Sequence, residues 1–102
     1  MKIIKELTEL VEEELEDAEK YIKLAFVHKD DNASLAKTFY ELSTQEMNHV
    51  AMLHEEVVKI IEEHRKIKGD PPAAMMAVYD YLHKKHIDKA SKIKVLQAEY
   101  RR

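Results

Sequence analysis

The chain has 102 residues, a formal net charge of −3 and no cysteine. That length supports one domain with one modest core. The charge provides no basic field for nucleic acid or an anionic membrane, and the lack of cysteine removes any disulfide framework, thiol nucleophile or thiolate-ligated metal. No apolar run approaches bilayer length, and the first residues, "MKIIKELTELVEEELEDAEKY", lack the uncharged core of a signal peptide. A cytoplasmic protein is the resulting expectation. One glycine and two prolines in a chain rich in Glu, Lys, Leu and Ala predict an all-α fold over residues 1–102.

Helix 1 is predicted from about residue 2 to residue 28, with apolar residues recurring at a 3.6-residue period from Ile3 to Phe26. Its stripe reads Leu7, Leu10 or Val11, Glu14, Ala18, Tyr21, Ala25. Glu14 stands where an apolar residue belongs. Asp17 follows three places later on the same side, where a solvated flank charge is the simpler reading. Tyr21 reads either as a core tyrosine with a bonded hydroxyl or as a neighbour of a metal site. "KDDNAS" ends the helix, and either Asp31 or Asn32 is placed to cap the next one.

Helix 2 is predicted from about residue 33 to residue 67, roughly 50 Å at the α-helical rise. Its stripe reads Leu35, Phe39, Leu42, Glu46, His49, Leu53, Val57, Ile60. Glu46 and His49 are in register with the buried face, and their i, i+3 spacing lets them reach one ion. With fourteen Glu and six His, one such pair arises about once by chance; the position on the stripe is what raises the signal. "KIKGDPP" then stops the helix and forces a turn.

Helix 3 is predicted from about residue 72 to residue 100, with Pro72 in its first turn. "YDYLHKKH" holds a second carboxylate–histidine pair, Asp80 and His83, and a third histidine, His86. If helix 3 crosses the site, Asp80 and His83 can ligate or orient ligands; a solvated or interface face is the plainer reading. His28, His54 and His64 fall at helix ends or flanks. Met47, Met52, Met75 and Met76 fit core or subunit packing.

Short joints make helices 1 and 2 antiparallel neighbours. The first joint centres near position 31; Glu14 lies 17 residues before that point and Glu46 15 residues after it, so the two meet at one height. Converging carboxylates in a bundle core cost several kcal/mol or are neutralised. A divalent cation neutralises them, and a Glu/His donor set suits iron, manganese or zinc. The competing reading is a metal-free polar layer that fixes register in a helical assembly or adaptor. Three long amphipathic helices bury their faces poorly alone, so a homodimer or higher homo-oligomer is expected.

These residues resemble the ferritin-like di-iron carboxylate proteins. "EELEDAEKY" (Glu13 to Tyr21) is similar to the first metal helix of rubrerythrins and encapsulated ferritins, where a ligand Glu stands seven residues before a Tyr. "QEMNHVAML" (Gln45 to Leu53) is similar to their Glu-x-x-His helix. The resemblance implies a ferritin-like antiparallel hairpin plus a third helix, with the four-helix bundle completed by dimerisation. It implies two irons per dimer on Glu14, Glu46 and His49 of both chains, with Glu46 bridging and the other two terminal. Ferroxidase or peroxide- or oxygen-reducing activity follows from it. Without cysteine the rubredoxin-type centre of a full rubrerythrin is missing, which leaves the electron donor unassigned. The tail "KIKVLQAEYRR" has no Gly/Pro linker and does not look like a compartment-targeting extension.

Overall fold

The computed structural model of residues 1–102 contains three α-helices, α1 (Lys2–His28), α2 (Ala33–Lys68) and α3 (Ala73–Tyr100), and no strand. The rod they form measures 56 × 20 × 18 Å. No helix is long and apolar enough to cross a membrane. The boundaries follow the local chemistry. Asn32 caps α2 by accepting a hydrogen bond from the Leu35 amide at 3.1 Å. Gly69 ends α2 with φ of +80°, a left-handed conformation that a side chain resists. His64 contacts the Gly69 carbonyl at 3.0 Å. Pro72 caps α3, which begins one residue later.

α1 and α2 form an antiparallel hairpin: Ile4 packs with Val57 and Ile61 at one end, and Ser43 meets Ala18 farther along. α3 lies against this hairpin parallel to α1. Met76 and Tyr79 pack on the Ile4 cluster, and Ile93 is fully buried against Val11, Leu15 and Ala18. Its C-terminal end is clasped to the first joint. Tyr100 stacks on Tyr40 at 4.9 Å and meets Phe26 edge-on, while Lys29 donates to the Tyr100 carbonyl at 3.0 Å. The ion pairs are largely solvent-exposed and add little to stability.

The buried stripe of α1 is Ile4, Thr8, Val11, Leu15, Ala18, Ile22 and Ala25. This corrects the sequence-based stripe by one residue at its centre: Leu15 is buried and Glu14 is only half-buried. The same offset occurs on α2, whose buried residues are Ala36, Ser43, Val57 and Ile61 while His49 is exposed. The physical reason is that the hairpin carries two neighbouring apolar stripes. α3 covers the one through Val11, Leu15, Met47 and Val50. The stripe through Leu10, Glu14, His49 and Met52 flanks the seam on its other side and stays open, while Leu7 packs on the Ile4 cluster.

Between α2 and α3 the rings of His54 and His83 stack at 4.7 Å with an interplanar angle of 6°, and Tyr79 stacks on His83 at 5.6 Å. Burial, and then the neighbouring His54, hold His83 below the usual histidine range against the pull of Asp80. Burial also lowers His86, helped by His83, Lys85 and Lys89 and opposed by Glu12.

Two outcomes are expected. Ile93→Ala removes the largest apolar anchor of α3 and costs about 2–5 kcal/mol in urea unfolding, whereas exposed Val95→Ala stays within about 0.5 kcal/mol. Because His83 and His86 are depressed in the folded chain, the unfolded chain takes up those protons at higher pH. Their contribution to stability is fully present above about pH 6.5 and is lost as pH falls through that value toward the folded pKa values. Denaturation at about pH 7.5 and about pH 5.5 checks this, and the loss shrinks in His83→Gln.

Candidate metal centre

The hairpin register is set at a buried junction of all three helices. The Ser43 hydroxyl, with no solvent exposure, donates to the Ala18 carbonyl at 2.7 Å. The Gln97 amide of α3 donates to the same hydroxyl at 2.9 Å. Ser43 and Ala18 are small, so the backbones approach closely at this level. Glu14 lies four residues before Ala18 and Glu46 three residues after Ser43, so each stands about one turn from the junction, in the same direction along the seam.

Glu14, Glu46 and His49 converge there. One donor atom from each lies within 4.8 Å of the others. His49 Nδ1 is 3.3 Å from Glu14 Oε2 and 3.7 Å from Glu46 Oε2. Adjacent donors on one ion, each about 2.0–2.2 Å from it, are separated by roughly 3 Å, so these spacings fit one cation after small side-chain shifts. Two carboxylate oxygens and an imidazole nitrogen suit iron, manganese or zinc. The side chains are 26%, 17% and 52% exposed in that order, so this set lies at the surface of the single chain and does not form a closed polar layer within it.

Leu10, Met52 and Leu53 rim the pocket that holds Glu14 and His49. Leu10 is 43% and Met52 65% exposed. Sequence reasoning named Glu14, Glu46 and His49 and had Leu10 and Leu53 on their stripes, but did not single out this rim. The signal was present: Leu10 and Leu53 each stand four residues from a ligand on the same helix face.

The remaining sequence candidates separate from the group. Asp17 is exposed and outside it. Asp80 and His83 are carried by α3 on the far side of the α1–α2 seam, and His83 stacks on His54, which the sequence reading had assigned to a helix flank. α3 therefore does not cross the site. Tyr21 is half-buried, two turns from Glu14 on the same face, and its ring stacks on Phe39 at 6.2 Å. No hydrogen bond joins it to a ligand.

Ser43→Ala leaves the buried Gln97 amide without its partner and is expected to cost about 1–3 kcal/mol, while Ser43→Ala with Gln97→Leu recovers part of that loss by removing both polar groups. Urea unfolding of the two variants measures the difference.

Comparison with protein-family models, with curated proteins and with solved structures finds no match. The functional reading of the site therefore rests on its own residues.

Proposed function

We propose that the chain is a ferritin-like half-site protein: a homodimer that binds two ferrous ions between two copies of Glu14, Glu46 and His49 and oxidises them with oxygen or peroxide. The observation that carries this reading is the convergence of three donors from two helices within 4.8 Å at the centre of an uncovered apolar face. Three donors are half of what an octahedral ion takes. A second copy laid on the same face about a two-fold axis brings the dimer to six donors for its two ions and leaves positions open to oxygen or peroxide, and it covers Ile3, Leu10 and Met52, which are 44%, 43% and 65% exposed in the single chain.

The charge balances. Two carboxylates per chain make four per dimer, equal and opposite to two divalent ions. Two ferrous ions held side by side supply one electron each, so that two Fe²⁺, one hydrogen peroxide and two protons give two Fe³⁺ and two waters. The protein residues do the rest. Glu46 serves as the shared carboxylate, with Glu14 and His49 as terminal ligands. Anionic oxygen donors hold the ferric product more tightly than the ferrous substrate, which favours oxidation. His49 offers the ring nitrogen that already faces both carboxylates, Nδ1. Leu10, Met52 and Leu53, once covered, keep bulk water from the ions.

Anaerobic ferrous titration followed by air tests the reading, with the mass in solution measured alongside. The expected result is one iron per chain, a dimer or larger homo-oligomer, and iron oxidation faster than in buffer. Added metal raises the melting temperature of the native chain but not of Glu46→Ala. A chain that stays monomeric, takes up no iron and oxidises none above buffer overturns it.

A further inference from the structure

The histidines that the half-site leaves unused gather elsewhere. His54 of α2 and His83 and His86 of α3 line one cavity of about 260 Å³ between the two helices, together with Met47, Val50 and Ile87. We propose that this cavity is a second metal site, in which the three imidazoles bind a borderline divalent ion of the zinc, copper or nickel kind and tie α3 to α2.

Three observations support it. The ligands come from two helices: His83 and His86 share one face of α3 at i, i+3 spacing, and His54 meets His83 across the cleft with ring centroids 4.7 Å apart. Imidazole nitrogen is the donor that first-row divalent ions of this class prefer over magnesium or calcium. Partial burial lowers His83 and His86 from the ordinary imidazole value, which favours the neutral form that ligates. Asp80 beside His83 and Glu12 of α1 beside His86 are outnumbered by Lys85, Lys89 and Lys94 at the edge, so the site relies on its imidazole donors and not on net charge.

The His54 and His83 rings lie face to face, and the donor atoms of the three histidines do not lie together as those of Glu14, Glu46 and His49 do. The χ2 torsion of histidine is broad, so a cation binds by turning the rings edge-on into the cavity. The two sites differ in chemistry: the half-site is carboxylate-rich and suits iron, while this one is imidazole-rich and suits later metals.

The test uses Glu46→Ala/His49→Ala, in which the half-site is dismantled. Zn²⁺ is titrated in competition with a chromophoric chelator, and Cu²⁺ is added separately for electron paramagnetic resonance. The expected result is one Zn²⁺ per chain, nitrogen hyperfine structure on Cu²⁺, and Zn²⁺ affinity weakened about a hundredfold by a further His54→Gln or His83→Gln. In the unsubstituted chain, ¹⁵N ring shifts of His54, His83 and His86 move together on Zn²⁺ addition, a readout that needs no variant to fold. Absence of Zn²⁺ binding by the dismantled chain, or binding unchanged by both histidine substitutions, overturns the proposal. So do histidine ring shifts confined to His49. Because the half-site is absent from the titrated protein, the outcome is independent of the ferrous-ion experiment.

Discussion

The meeting of Glu14, Glu46 and His49 depends on the close approach of α1 and α2 at Ala18 and Ser43. A hydroxyl that donates across the seam to a backbone carbonyl fixes both the axial offset and the rotation of the two helices. A hydrophobic seam alone tolerates sliding, because apolar contacts are non-directional. A buried hydrogen bond does not: displacement by one residue leaves a desolvated polar group unmatched, at a cost of about 1–3 kcal/mol. Gln97 extends the same constraint to α3. Glu14 and Glu46, about one turn away on opposite helices, inherit their common height from this junction.

The second organising fact is how the hairpin divides its two apolar stripes. One is used within the chain, where Ile93 seals Val11, Leu15 and Ala18. The other carries Leu10, Met52 and the three metal-binding candidates, and stays open. In the single chain Glu14 and Glu46 remain in touch with water, so their charges cost little. In the proposed dimer they do not: covering this face brings four carboxylates into a low-dielectric seam, which is strongly unfavourable without counter-charge. Association and cation binding are then thermodynamically linked. The apolar rim favours closure, the carboxylates oppose it, and divalent ions remove the opposition. On the proposed reading, the dimer assembles most readily around its two cations.

Much of this was legible in the sequence, for reasons that can be named. The helix-breaking residues are concentrated at 29–34 and 69–72, so the three helices and their approximate ends could be read directly. The nearly equal distances of Glu14 and Glu46 from the first joint brought them to one level, and the structure brings them there. What could not be read was which of two adjacent stripes the third helix would cover. Leu10 and Val11, Glu14 and Leu15, and Tyr21 and Ile22 are neighbours in sequence, each pair about 100° apart around the helix, and both members fit a 3.6-residue period. Only the docking of α3 separates them. The pairing of His54 with His83 was hidden for the same reason: it depends on the register of α3 against α2, which neither helix encodes locally.

α3 itself explains why that register is hard to read. Val78, Tyr81, Ile87 and Val95 are 60%, 63%, 50% and 57% exposed, so the apolar residues of the helix do not gather on one covered face. It is held at discrete points: Met76 and Tyr79 at one end, and Ile93, Gln97 and Tyr100 toward the other. Between them it leans on α1, with a cleft of about 640 Å³ beside α1 and the His54–His83–His86 cavity facing α2. The middle of α3 is therefore its least secured part, and it is filled by imidazoles whose charge depends on pH. Protonating them weakens the contact between α3 and α2 along the middle of α3. The geometry of Glu14, Glu46 and His49 belongs to the Ala18–Ser43 junction, which α3 reaches through the Gln97 amide, so that one hydrogen bond is the route by which a shift of α3 is felt at the hairpin seam.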